Sequence, residues 1–396
     1  MKLPEPSLAL PSLALAALLG LGAGPARAQA PFWIDAAGGA EIALRLDRLG
    51  KAGETRAHTN AFAEIEADLV VTSSTGLGMV GAFRLEQRDR ATIGRSQVLR
   101  DETAYVDQLY LTYTARPLAL AAGKIHPRFG FAWDAGPGLF GSEFGERYEI
   151  AEQIGGGIDI SLPDLFGLPP EWGMSSIRGE IFQADRSFLS AGLFNHRYQV
   201  EDPDTGRLSY RARLRRPAGG PGNTPGLSST VLSLAGQGMT LPLGSLDYTL
   251  GMSHRRAGDD AREAGLDATE RGVVAGLAWA FRPVPDVRVV PVVEAVRLKN
   301  ADGFRGRSRN FLMAGLALEW GPFALSYTEG RQWDEEDGGK ARSAQRTAGL
   351  DIALEALLPP QGIFPGLTMQ VGWRQLEEGG VTADDFGAAL VFGYRF

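Results

Sequence analysis

From near Ala40 to the end of the chain, apolar and polar side chains alternate with a period of two. Only a strand places successive residues on opposite faces, so this pattern commits the chain to β-structure. Between Ala61 and Val71, the residues Ala61, Ala63, Ile65, Ala67, Leu69 and Val71 share one face, with Glu64, Glu66 and Asp68 on the other. Leu77, Met79, Phe83 and Leu85 likewise oppose Arg84, Glu86 and Arg88. The pattern recurs at Leu250 and Met252, at Leu312 to Trp320, at Leu350 to Leu354 and at Leu367 to Trp373, while Val273 to Phe281 oppose a row of small residues.

Past the N-terminal region no run approaches the roughly 18 apolar residues that a spanning helix requires. Strands can cross hydrocarbon only as a closed sheet, since an open edge would leave backbone groups unpaired at a cost of several kcal/mol each. Closure turns one face of each strand to lipid and the other to a wet lumen. The fold expected is therefore all-β, a transmembrane antiparallel β-barrel with long extracellular loops and at least one loop folded inward. At roughly 20–24 residues per strand and connection, about 16 strands are expected, within a range of about 14–18. Aromatic residues near strand ends, among them Tyr113, Trp320, Tyr327, Trp373 and Tyr394, suit the two membrane interfaces.

Turn residues divide the connections into two kinds. Ser74 to Gly76, Pro163 to Pro170, Leu241 to Gly244, Pro283 to Asp286, Gly321-Pro322 and Pro359 to Pro365 read as short periplasmic turns. Asp89 to Asp101, Gly258 to Glu270, Lys299 to Arg309, Asp334 to Arg346 and Glu377 to Asp384 read as longer extracellular loops.

The N-terminus carries a different signal. Lys2 precedes an apolar stretch from Leu8 to Gly24, and Ala26-Arg27-Ala28 matches a small-x-small cleavage site. Residues 1–28 are expected to be a cleaved signal peptide and 29–396 the barrel. Ala28-Gln29-Ala30 offers a second cut two residues later. The chain has no cysteine, which removes disulfides, thiolate metal sites and cysteine nucleophiles. A net charge of −7 on an exported chain argues against nucleic acid as a partner.

Three segments carry a resemblance. Leu390 to Phe396 alternates strictly, with Phe392, Tyr394 and Phe396 on one face. This resembles the closing strand of Gram-negative outer-membrane barrels, where such a terminus implies recognition by the barrel-assembly machinery. Gly123-Lys124, followed by Pro127 and Phe129-Gly130, opens a long irregular stretch up to Gly157. Gly219 to Thr224 (Gly-Gly-Pro-Gly-Asn-Thr) closes another that begins at Ala184. Both are similar to loop regions of alphaproteobacterial and phosphate-selective-type porins. The resemblance implies a porin: a passive channel for small hydrophilic solutes or ions, in contact with outer-membrane lipid and in some cases a homotrimer, without cofactor.

The residues expected to line or narrow such a pore are the acids Glu64, Glu66 and Asp68 and the bases Arg84, Arg88, Lys124, Arg128, Arg207, Arg211, Arg213 and Arg215. The last four arginines form a one-sided ladder if the segment is a strand and a basic flap if it is a loop, with a loop preferred. In either form guanidinium groups could favour anions, because they bind carboxylate and phosphate in a fork.

Two other functions compete. A barrel hydrolase would pair Ser and His two residues apart on one strand face, but His58, His126, His196 and His254 have no serine at that spacing. No two histidines share a strand face or helical turn, so no metal site is expected. A structural or adhesin-like barrel remains the alternative, and it would be narrow and filled with side chains.

Overall fold

The structure is a computed structural model. It describes residues 32–50, 56–87, 95–195, 197–201, 208–211, 213–214, 220–258, 266–336, 339–357 and 366–396. The expected leader, residues 1–28, lies outside the described residues.

Sixteen strands make the wall. The first six are β1 (Ile34–Leu49), β2 (His58–Ser73), β3 (Leu77–Gln87), β4 (Glu102–Ala115), β5 (Leu118–Ile125) and β6 (Gln153–Ser161). There follow β7 (Met174–Ala184), β8 (Ser229–Leu241), β9 (Gly244–Arg255), β10 (Glu270–Val284) and β11 (Val287–Lys299). The last five are β12 (Ser308–Trp320), β13 (Phe323–Glu336), β14 (Gly339–Ala353), β15 (Leu367–Glu378) and β16 (Val381–Arg395). Each pairs antiparallel with its sequence neighbours, and β16 returns to β1 with Gly39 opposite Arg395 and Arg48 opposite Phe386. Phe396 and Gly38 exchange two backbone hydrogen bonds at the seam, of 3.0 and 3.1 Å. The sheet is closed. A two-residue segment, Gln97–Val98, adds to it by pairing in parallel with β2.

The alternation sorts side chains as expected. Leu44, Leu46, Leu111, Leu250, Val273, Leu316 and Leu390 are exposed on the outer face, as are Phe386, Tyr394 and Phe396. So large a continuous apolar surface belongs against hydrocarbon. Trp33, Trp172, Trp320, Tyr113 and Tyr394 lie near the short-turn end, where amphipathic rings suit the lipid interface.

Two expected loops are corrected. Asp334 to Arg346 and Glu377 to Asp384 are mostly strand: β13 continues to Glu336 and β14 starts at Gly339, while β15 and β16 are separated by Gly379 and Gly380 alone. Both glycines adopt positive φ, as a tight hairpin demands. Ladder hydrogen bonds satisfy the backbone there whatever the side chains are, so polarity at these strand ends did not signal a loop.

Candidate functional site

The lumen is shaped by residues 126–152, which leave β5 halfway up the barrel and cross the interior before rejoining the wall at β6. Glycine determines where this inner loop lies. Positions Gly272 and Gly276 on β10, Gly315 on β12, Gly330 on β13 and Gly372 on β15 face inward beneath it. A Cβ at Gly276 would come within 2.5 Å of the Phe131 ring, at Gly315 within 2.9 Å of Pro137, and at Gly330 within 2.4 Å of the Phe144 ring. The loop's rings therefore press onto bare backbone. Phe129, Phe144, Tyr148 and Ile150 pack there with Val231, Val274, Val296, Phe311 and Met313 as the main apolar core.

Polar ties fix the same loop. Glu294 on β11, only 1% exposed, accepts hydrogen bonds from the Phe131 and Ala132 amides (2.8 and 3.1 Å) and from the Tyr148 hydroxyl (2.7 Å). Gln345 Nε2 donates to the Phe140 carbonyl at 3.0 Å. At the far end Glu143 is held by Arg45 on β1 at 2.8 Å and by Arg374 on β15, which also pairs with Asp385.

The loop thus covers the wall from β10 to β16 and leaves a passage beside β1 to β4. A cavity of about 700 Å³ runs from Tyr105, Glu152 and Arg197 past Ser142, Glu146 and Glu149 to Glu319 and Asp351 near the short turns. A second, of about 390 Å³, lies between the loop and the β1–β3 wall. Both contain Glu41, Glu66, Arg84, Glu86 and Glu146, so these residues mark the junction. A third, of about 260 Å³, is lined by Arg128, Phe131, Trp133, Arg178 and Arg288 on the other side of the loop.

Carboxylates dominate the passage, and the cations among them are occupied. Arg84 contacts Glu66 at 3.2 Å and Asp107 at 3.1 Å. His126 lies 3.2 Å from Asp107 and 3.4 Å from Glu149. Burial alone would discharge this imidazole, but Asp107 and Glu149 outweigh burial and raise its pKa to about 9, so it is an imidazolium at neutral pH. Arg197 lies with its guanidinium carbon 3.3 Å from the centre of the Tyr105 ring and is paired with Glu152. Among the described residues the side chains of Glu41, Glu64 and Glu146 have no hydrogen-bond or ion-pair partner. A bulge opposite Ala82 and Phe83 adds Asp107 to β4, and the consecutive residues Asp107 and Gln108 both face cavities.

The expected pore residues divide accordingly. Glu64, Glu66 and Arg84 line the passage. Asp68 sits lower on the same strand, nearer the short turns. Arg128 lines the third cavity and is held by Ser176 Oγ (3.0 Å) and Ser233 Oγ (2.9 Å). Lys124 requires correction: it is fully buried, bound to Glu152 at 2.7 Å, the Leu189 carbonyl at 3.0 Å and Asp185 at 3.3 Å, and ties the second long loop to the wall. Of the arginine segment, Leu208–Arg211 is strand rather than the preferred loop, and it pairs with Tyr198–Glu201 in a two-stranded sheet apart from the barrel wall. Arg213 is exposed, the Arg211 side chain is not described, and Arg88, Arg207 and Arg215 lie outside the described residues. Sequence reading missed Glu41, Arg45, Glu86 and Asp107, although alternation had placed Glu86 on the wet face. It also missed Glu143, Glu146 and Glu149, whose three-residue spacing in an irregular segment carries no periodic signal.

No family model and no curated protein matches this chain. Solved structures do. OmpF of Salmonella typhi, in complex with daunomycin, matches with a TM-score of 0.56 at 12% identity, covering 91% of this chain and 97% of its own. The outer membrane channel DcaP of Acinetobacter baumannii matches at 0.52 and 10%, covering 93% and 99%. A loop L8 deletion mutant of the outer membrane protein OmpT of Vibrio cholerae matches at 0.51 and 8%, covering 92% and 99%. At such identities the shared property is the fold, a closed barrel of the outer-membrane porin kind.

Proposed function

We propose that this protein is an outer-membrane porin, with residues 1–28 removed on export, that passes small hydrophilic solutes and favours cations over anions. One observation carries the reading: a water-sized passage descends beside the inner loop, and unpaired carboxylates line its junction. A structural barrel would fill that space with side chains. Charged rings in a low-dielectric wall set which ions enter, because the field is focused into the lumen. This lining runs against the anion preference that the arginines suggested and against the likeness to phosphate-selective porins. A carboxylate-lined passage repels phosphate. In the membrane the protein assembles as a homotrimer, which cross-linking of the detergent-extracted protein tests.

In a planar bilayer under a potassium chloride gradient, the purified protein is expected to give discrete conductance steps with a reversal potential of the sign for potassium over chloride. A folded protein without steps would defeat the channel reading, and chloride preference would defeat the cation reading. The preference should weaken from about 0.1 M to about 1 M salt, as the screening length falls from about 10 Å to about 3 Å. Glu41→Gln with Glu64→Gln should reduce it further.

A further inference from the structure

We propose that the outer surface of the barrel binds the phosphorylated sugar headgroup of an outer-leaflet glycolipid, at Arg271, Arg297 and Lys299. The proposal rests on the barrel's place in the outer membrane and is independent of what the channel passes.

Strand β10 shows how the site arises. Its outer face carries Phe281, Trp279, Leu277, Ala275 and Val273 in succession, with Trp279 stacked on Phe281. From Phe281 to Val273 the strand runs about 26 Å, or about 20 Å of height once tilted, most of a hydrocarbon band about 25 Å tall. The next outer residue is Arg271, which therefore stands at the polar edge of that band. It does so at the long-loop end, the end that faces outside in barrels of this kind.

Pairing brings further cations to the same edge. Arg271 lies directly opposite Lys299 on β11, and Val273 opposite Arg297. His254 on β9 is opposite Arg271 from the other side. All four side chains are exposed, while the alternating residues Ser253, Val274, Val296 and Leu298 are buried on the inner face. Like charges directly opposite one another, with Cβ atoms about 5 Å apart, destabilise a sheet unless something neutralises them.

Other cations on the outer face are neutralised. Arg331 is held by Glu329 at 2.6 Å, Lys340 by Glu335 at 2.8 Å, and Arg346 by Gln375 at 3.0 Å with Glu329 at 3.7 Å. Among the described residues the side chains of His254, Arg271 and Lys299 have no hydrogen-bond or ion-pair partner. Arg297 stands in the field of Glu335, which Lys340 already holds.

A phosphate monoester fits this arrangement. Each guanidinium can grip two phosphate oxygens in a fork, and the Lys299 ammonium adds a point charge. An anion seated between Arg271 and Lys299 turns their repulsion into attraction. Directly beneath, Leu250, Met252, Val273 and Val293 present exposed apolar surface. Free phosphate would gain from the cations alone, whereas a lipid whose phosphate sits at the head of its acyl chains gains from both surfaces. This favours the lipid.

The test titrates the full-length protein in detergent with bisphosphorylated lipid A and with the same lipid stripped of its phosphates, counting bound lipid by native mass spectrometry. The wild type should bind the phosphorylated form at least about tenfold more tightly. Arg271→Gln with Lys299→Gln should lose that preference, and Lys299→Gln alone should lose part of it. Arg331→Gln with Arg346→Gln, which removes cations that already have partners, should keep it. All variants should retain the electrophoretic mobility of the folded barrel, because these side chains lie outside the backbone ladder. Conductance, which tests the channel reading, should be the same in all of them. Equal binding of the two lipids by the wild type, or an unchanged preference in the folded Arg271→Gln, Lys299→Gln protein, overturns the proposal. Release of bound lipid A by inorganic phosphate would assign the cluster to free anions and overturn it as well.

Discussion

Replacing Glu294 by alanine is expected to release the inner loop and turn a quiet channel into a flickering one. The carboxylate is buried and holds three donors, two of them backbone amides that no side-chain rotation can redirect. Truncation leaves all three dry, at about 1–3 kcal/mol each, or about 3–9 kcal/mol in all. The barrel itself should persist, because its ladder hydrogen bonds do not involve this side chain. The loss therefore falls on the loop, as larger current noise, altered mean conductance and faster proteolysis between residues 126 and 152. Glu294→Gln should give a weaker form of the same effect. Oε1 receives Ala132 and Tyr148 while Oε2 receives Phe131, so an amide nitrogen in either place confronts a donor. Currents and cleavage unchanged from wild type in the alanine variant would show that the aromatic contacts alone hold the loop.

Those contacts underlie the second large effect. In Gly330→Val the new Cβ would start 2.4 Å from the Phe144 ring. The ring has little room to yield, since it packs edge-on against Phe311 at 6.1 Å and under the Arg147 guanidinium at 5.0 Å. Overpacking of this kind costs about 1–3 kcal/mol or more. Valine suits a strand, so the wall should tolerate it while the loop shifts into the passage and conductance falls. Gly179→Val on β7 is the control, because a Cβ there meets nothing within 4 Å. If the two variants conduct alike, the glycine track does not position the loop.

The role of glycine was partly legible. The row of small residues opposite Val273 to Phe281 stood out, and it proves to be the bed for Phe129 and Phe131. Its purpose could not be read from β10 alone, because the rings that fill it arrive from more than 130 positions earlier in the chain. The same separation hid the junction. Glu143 meets partners 98 and 231 residues away, at Arg45 and Arg374, and local spacing holds no trace of such pairs. Lys124 misled for a related reason: a lysine at the end of a strand looks solvated until the second loop folds over it.

By itself, the amino-acid order determined that the chain closes into a cylinder and which side chains face outward. A period of two and the need to pair every backbone group in hydrocarbon admit one class of solution. Which charges meet at the narrow section, and which remain without a counter-ion, was decided only in three dimensions. The inner loop's position depends on contacts across the whole barrel, and a carboxylate's chemistry is set by its neighbours rather than by its place in the chain.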